Sequence, residues 1–343
     1  MQTLNKSSKE ETSVVSRGPL FASSGIVDLI KRSYLVIFLG LAVVAGAIAS
    51  PYFLTGRNIE NIIVTGVVVS ILAIGQFKVI VTRGIDLSVG SIAALGTVMV
   101  AVLLRQGLPI PIVIALTLAV CAAAGLINGI AVVYGGITPF IATFAMLSIA
   151  RGVAYLIQVG TLIEVSNPTY LKLFTGSLLG IPNSVILVIV VMLVTAFIMK
   201  YTTFGRQLYA IGGNPEAARL SGLPVNRNLI TTYVISGLFS GLAGLILAAQ
   251  LQQGSSLLAK GYELNAIASA VVGGTSLFGG TGNPISAVIG GLLIGIISNI
   301  MNLVGILPEP QLIVLGLVIL IAVFFTGGEG PKRLNKLIKW FRR

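Results

Sequence analysis

Apolar residues fill this chain in runs of 16 to 26, broken by short polar or glycine- and proline-rich stretches. The pattern predicts ten helices, at approximately 34–53, 59–80, 87–104, 109–134, 139–158, 184–200, 229–250, 263–278, 284–304 and 311–326. A helix needs about 20 apolar residues to cross a bilayer core, so the runs at 87 and 263 are short and read as tilted, broken or partly re-entrant. The expected fold is an all-α polytopic membrane protein of about ten transmembrane helices. Its expected organisation is an N-terminal segment 1–33, a transmembrane domain 34–326 with a long loop at 201–228, and a basic tail 327–343.

Composition narrows the chemistry. Of 343 residues 55% are hydrophobic and 9% charged, with a mean hydropathy of +1.01, against about 25% charged residues in a typical soluble domain. There is no histidine and a single cysteine, Cys121. A Ser-His-Asp triad, a histidine proton shuttle, a zinc site and an intrachain disulfide are thereby excluded, and no metal site is expected. No GxxxxGK[ST] phosphate loop occurs, and Gly279-Gly280-Thr281-Gly282-Asn283-Pro284 lacks both the lysine and the spacing of one. Hydrolysis of ATP by this chain alone is not expected.

The net charge of +12 could point to nucleic acid or to a membrane surface, and position decides for the membrane. With both termini cytoplasmic, 17 of the 22 basic residues fall on the inside, Lys78 and Arg83 among them. Arg57, Arg105, Lys172 and Lys260 fall outside and Arg151 lies within a span, an asymmetry that follows the positive-inside rule. The first 33 residues lack a cleavable hydrophobic region, so the first run reads as a retained span. The tail Pro331–Arg343 suits either a short helix on anionic lipid or a solvated stop signal.

Arg83-Gly84-Ile85-Asp86-Leu87-Ser88 before the third span matches Lys260-Gly261-Tyr262-Glu263-Leu264-Asn265 before the eighth. A second landmark follows each, at Gly107-Leu108-Pro109-Ile110 and Gly282-Asn283-Pro284-Ile285. The two spans run in opposite directions, so the match reads as an inverted repeat, the alternative being chance similarity in a glycine-rich chain. Asp86 and Glu263 are expected to cap their helices structurally, ahead of any role with protons or substrate.

The loop 201–228 contains a short helix with both ends marked. Asn214 suits the N-cap, Pro215 the first helical position, Glu216 the first turn and Gly222 the left-handed C-terminal position, while Pro224 blocks continuation. About six residues are too few for a helix to persist alone in water, so it either docks against a partner or packs on its own helix ends.

Three motifs carry a specific resemblance: Gly84-Ile85-Asp86-Leu87-Ser88-Val89-Gly90-Ser91, Ala210-Ile211-Gly212-Gly213-Asn214-Pro215-Glu216-Ala217-Ala218, and Val271 to Gly280. In that order they resemble the ribose-type sugar permeases of bacterial ATP-binding cassette importers, over residues 34–326. The resemblance implies a bacterial inner-membrane permease for a small sugar or similar polar solute. It implies a second permease subunit, identical or paralogous, two ATPase subunits that hold ATP and magnesium, and an external binding protein. It also makes Asn214, Pro215, Glu216, Ala217, Ala218 and Arg219 the helix that couples to the ATPase. Gln76-Phe77-Lys78 departs from the apolar family pattern and leaves the end of the second span open.

Arg151 would lie about 18 Å from the cytoplasmic end of its helix. It reads as a donor to sugar hydroxyls, or as a structural arginine bonded to backbone carbonyls or to a carboxylate such as Glu164. Asn128, Thr143, Asn299 and Asn302 read as lining a path or as hydrogen-bonding between helices. A free-standing ion-coupled transporter would place a carboxylate near mid-membrane; all ten acidic residues fall in termini, loops or span ends. A membrane enzyme lacks a catalytic constellation.

Overall fold

A computed structural model describes residues 24–326, with side chains from Leu35. Of the expected N-terminal segment 1–33, residues 1–23 lie outside the described residues and 24–33 belong to the first helix; the expected tail 327–343 lies outside the described residues. In chain order the helices are α1 (Ser24–Ala49), α2 (Gly56–Val81), α3 (Val89–Arg105), α4 (Ile110–Val133), α5 (Pro139–Gln158), α6 (Pro168–Thr175) and α7 (Asn183–Tyr201). They continue with α8 (Thr203–Gly213), α9 (Pro215–Leu220), α10 (Val225–Leu251), α11 (Tyr262–Val272), α12 (Pro284–Leu303) and α13 (Pro308–Thr326). Strand β1 (Ile163–Glu164) pairs antiparallel with β4 (Gln253–Gly254), and β2 (Ser177–Leu178) with β3 (Ile181–Pro182).

The architecture is that of an all-α membrane protein. Among the described residues α2, α4, α5, α7, α10 and α12 are long and apolar enough to cross a bilayer, while Leu35–Ala49, α3 and Glu309–Phe324 are shorter apolar segments. Two helices, α2 and α10, form the centre. The most extensive packing is α4 on α10 and α12 on α2, with α3 against α10 and α11 against α2. The core there is aliphatic and small, including Ile71, Leu72, Ile74, Ala243, Leu245 and Ala248, all at most 1% exposed.

Glycine allows the close approach that this packing requires. A Cβ on Gly125 of α4 would collide with the Tyr233 carbonyl of α10, and one on Gly290 of α12 with the Ser269 carbonyl of α11. Without a hydrophobic force between helices in lipid, such backbone contact is a main source of association.

Two expectations are corrected. The run expected as a helix over 263–278 stops at Val272, because Gly274 turns left-handed (φ 84°) and the N–H of Thr275 returns to the Ala270 carbonyl at 2.9 Å. A Cβ at Gly273 would also meet the Ser286 carbonyl at 2.5 Å, so α12 passes where a continued side chain would stand. Secondly, Lys78, counted above among the charges on the inside, is buried in the bundle. Helix α2 runs on to Val81, and Lys78 is 2% exposed with Nζ 4.0 Å from the Phe239 ring centre and 3.4 Å from Thr195 Oγ1.

Loops meet in two sets near the two ends of α10, whose 27 residues span about 40 Å. Near its start, Asn228 Nδ2 donates to Gln207 Oε1 of α8 at 2.9 Å. Just after its end, β4 pairs with β1. The stretch between the helices expected at 139–158 and 184–200 contains α6, and its buried Tyr170 donates to the Leu245 carbonyl at 2.6 Å. Burial pushes the Tyr170 phenol well above the usual tyrosine range, which keeps it a donor.

Candidate functional site

The chain is irregular between α2 and α3, from Thr82 to Ser88, inside the bundle. Irregular backbone at membrane depth must find its hydrogen bonds in the protein or in a wet cavity. Four helices each send one polar side chain to it. Gln76 of α2, with its carboxamide in the orientation that satisfies both partners, donates to the Asp86 carbonyl at 3.1 Å and accepts from the Asp86 N–H at 3.2 Å. Asn128 of α4 donates to Ser88 Oγ at 2.9 Å, and the Thr143 hydroxyl of α5 lies 3.1 Å from the Ile85 carbonyl and 2.8 Å from the Pro139 carbonyl of its own helix, between which its one proton is shared. Ser236 of α10 donates to Asp86 Oδ2 at 2.7 Å.

Asp86 is the centre of this network and is fully buried. Its Oδ1 accepts from the Ser88 N–H at 2.9 Å and from the Ser88 hydroxyl at 2.6 Å. Helix α3 begins only at Val89, so Asp86 sits ahead of it rather than in its first turn, where the sequence reading puts it. The reason is that its two oxygens are occupied by Ser88 and Ser236, which hold the segment bent before the helix starts. Glu263, by contrast, lies in the first turn of α11, where its Oε2 is buried without a hydrogen-bond partner. Its Oε2 occupies the space where a Cβ on Gly90 of α3 would be.

Arg151 does not point to open space. Its guanidinium donates to the Ser256 carbonyl and, at 3.3 Å, to the Leu258 carbonyl, in the loop between β4 and α11. The Ser256 N–H is held in turn by Gln158 Oε1 at 2.7 Å. The carboxylate within electrostatic reach of Arg151 is Glu263. Glu164 instead lines a cavity of about 740 Å³ beside the ends of α3 and α5, together with Arg105, Gln106, Gln158 and Thr161.

Helix α9 has the boundaries that its residues spell. Asn214 Oδ1 accepts from the N–H groups of Glu216 at 3.1 Å and Ala217 at 3.0 Å, and Gly222 is left-handed (φ 76°). Ala218 is 5% exposed and packs among Ile211 and Val225. Glu216, Ala217, Arg219 and Leu220 face outward, and Leu220 is 85% exposed. The helix thus turns one alanine inward and presents a small mixed surface outward.

The sequence-derived polar candidates therefore separate. Asn128 and Thr143 join the Asp86 network, while Arg151 grips the Ser256–Leu258 loop. Asn299 of α12 exchanges hydrogen bonds of 3.0 and 2.8 Å with Asn58 of α2, and Asn302 accepts from Gln311 at 2.7 Å. None of the five lines the cavity. Sequence reasoning missed Ser236 and Gln76. The recurrence Thr232, Ser236, Ser240 at i, i+4 on an otherwise apolar helix, all three buried, was the available signal.

Comparison with known proteins bears on this geometry. The family described as the permease component of the branched-chain amino acid transport system matches residues 58–323. A ribose import permease protein of Haemophilus influenzae is 38% identical over 308 residues, 89% of this chain and 95% of that protein. A D-allose transport system permease protein of Escherichia coli is 38% identical, covering 82% of this chain and 87% of that protein. An L-arabinose ABC transporter permease protein of Azospirillum brasilense is 33% identical, covering 90% and 91%. No solved structure gives a significant match. The match spans every helix of the Asp86 network as well as α9, and the chain belongs to this family of transport-system permease components.

Proposed function

We propose that the chain is the transmembrane permease subunit of an ATP-binding cassette importer. It carries a small sugar or sugar-like polar solute, delivered by an external binding protein, into the cytoplasm. The observation that carries this reading is similarity along nearly the full length to permeases named for ribose, allose and arabinose. The family description names branched-chain amino acids, so the decisive experiment is a comparison. The chain is reconstituted in proteoliposomes with its ATPase and binding protein and supplied with labelled ribose, allose, arabinose or leucine. Uptake of a sugar supports the reading; uptake of leucine alone overturns it.

The chain is then the pathway and not the catalytic subunit, with ATP and magnesium on the ATPase and no cofactor of its own. A second permease subunit, identical or paralogous, completes the pathway in the bacterial inner membrane. Both termini are cytoplasmic, about ten helices count as spans, and the two halves form an inverted repeat. The exchange of partners, α4 with α10 against α12 with α2, supports that repeat.

The residues Asn214 to Arg219 serve as the coupling helix, a reading supported by the outward face of α9 with its exposed Leu220. Asp86 and Glu263 are structural. Of the path candidates, Arg151 shares its bond to Ser256 with the cavity-lining Gln158, whereas Asn128, Thr143, Asn299 and Asn302 hold helices together.

A further inference from the structure

Arg83 lies between α9 and the buried network. It is one of the few non-glycine residues with a left-handed backbone (φ 66°), a conformation that costs free energy and persists only where surroundings hold it. Its Nε donates to the Gly212 carbonyl at 2.6 Å, and its second arm donates to the Gly213 carbonyl. These are the last two carbonyls of α8, which have no partner within the helix and sit at the negative end of its dipole. Asn214, the cap of α9, is the next residue.

Glycines build the seat for this contact. A Cβ on Gly212 would run into the Val81 carbonyl, which accepts from the Gly280 N–H at 2.9 Å, and a Cβ on Gly279 would displace the Arg83 stem. The ends of α2 and α8 and the loop after α11 thus converge on Arg83.

A closed ring follows from these bonds. Asn214 begins α9, and Gly222 to Pro224 lead from it directly into α10. Eleven residues along α10, about 16 Å, Ser236 bonds Asp86 at 2.7 Å. Asp86 is three residues from Arg83, and Arg83 returns to Gly212 and Gly213. Both ends of α9 are therefore tied to the same buried carboxylate, one through α10 and one through Arg83. In a ring closed in this way, displacement of α9 carries the irregular segment with it; with the Arg83 bonds absent, that arm of the ring is left to the packing of Gly212 on Val81, with no side chain of the irregular segment bonded to α8.

We propose that Arg83 is the positioning residue that transmits movement of α9 to the Asp86 segment. The proposal rests on the reading of α9 as the coupling helix. The test is hydrogen exchange of the full chain, assembled with its ATPase subunits in lipid nanodiscs, with and without a non-hydrolysable ATP analogue. In the unmodified chain both 214–222 and 82–90 should change protection on adding the nucleotide analogue.

In Arg83→Gln, the response at 214–222 should persist while that at 82–90 falls at least about fivefold, the lower end of ordinary coupling between sites. Arg83→Lys keeps the charge at the end of α8 without the two-armed fork and should be intermediate. The Asn228–Gln207 bond and the packing of Gly212 on Val81 remain in either variant, so assembly is expected. If the glutamine variant does not assemble, the lysine variant is read instead, and a response at 82–90 equal to that of the unmodified chain overturns the role of Arg83.

Equal responses at 82–90 in variant and unmodified chain would overturn the role of Arg83, as would a silent 82–90 in the unmodified chain. Silence at 214–222 in the unmodified chain would overturn the coupling reading itself, a different result. A role confined to capping α8 would lower thermal stability and leave the ratio of the two responses unchanged.

Discussion

Ser236 and Asp86 stand 150 positions apart in the chain, and the serine hydroxyl meets the carboxylate at 2.7 Å in a fully buried site. This bond joins the middle of α10 to the irregular segment between α2 and α3. With the two bonds from Ser88 it gives Asp86 three donors.

Removing the carboxylate leaves those donors without an acceptor where water does not reach. Asp86→Ala should cost about 2–4 kcal/mol, more than the cost of a typical unsatisfied buried group because several donors are orphaned together. Asp86→Asn keeps one accepting oxygen and should cost less, and Ser236→Ala about 1 kcal/mol. Thermal unfolding of the purified chain in detergent gives the order; an alanine variant as stable as the unmodified chain would contradict the geometry.

The two neighbouring alanines of α9 should behave differently. Ala218 is buried against Ile211 and Val225, so Ala218→Trp should destabilise the chain by about 1–3 kcal/mol or more through overpacking. Ala217 is exposed, so Ala217→Trp should leave the chain folded and in the membrane while sugar uptake falls. Uptake at the unmodified rate in a normally assembled Ala217→Trp complex would assign coupling elsewhere.

The Lys78 amine is buried between Phe239 and Thr195. Buried charges are poor sources of stability compared with apolar groups of similar shape. Lys78→Met should therefore leave stability unchanged or raise it by about 1 kcal/mol. Lys78→Ala should lower it by about 2–4 kcal/mol through the cavity left behind. Thermal melts of the two variants separate these effects, and a methionine variant as unstable as the alanine variant would show that the charge itself is needed.

Two glycines with opposite surroundings test the packing. Gly125→Ala drives a methyl into the Tyr233 carbonyl and should reduce the folded yield. Gly152 of α5 has open space around its Cβ direction, and Gly152→Ala should be neutral or stabilise the isolated chain by up to about 1 kcal/mol. Folded yield by size-exclusion chromatography reads both.

The proposed topology places exposed Lys172 of α6 outside the cell. A cysteine introduced there should react with an impermeant reagent in intact cells. Cys121, the one native cysteine, is fully buried and should not compete. Reaction only after the membrane is opened would reject the topology.

By itself the sequence determined what depends on neighbours along the chain. Runs of apolar residues set where helices form, because a backbone in lipid must satisfy its own hydrogen bonds and a helix does so locally. The caps of α9 at Asn214 and Gly222 were legible for the same reason, being set by side chains within three residues of the backbone they complete. Tertiary structure alone decided what depends on distant partners. The C-terminal end of α11 is set by the passage of α12 across Gly273, and the burial of Lys78 by Thr195 and Phe239 on other helices. Arg151 bonds a loop over a hundred positions away, and Asp86, which reads as a local cap, is claimed by Ser236. A buried polar group takes whichever partner the packing brings within about 3 Å, and in a bundle whose helices approach through glycines that partner is chosen by the whole fold.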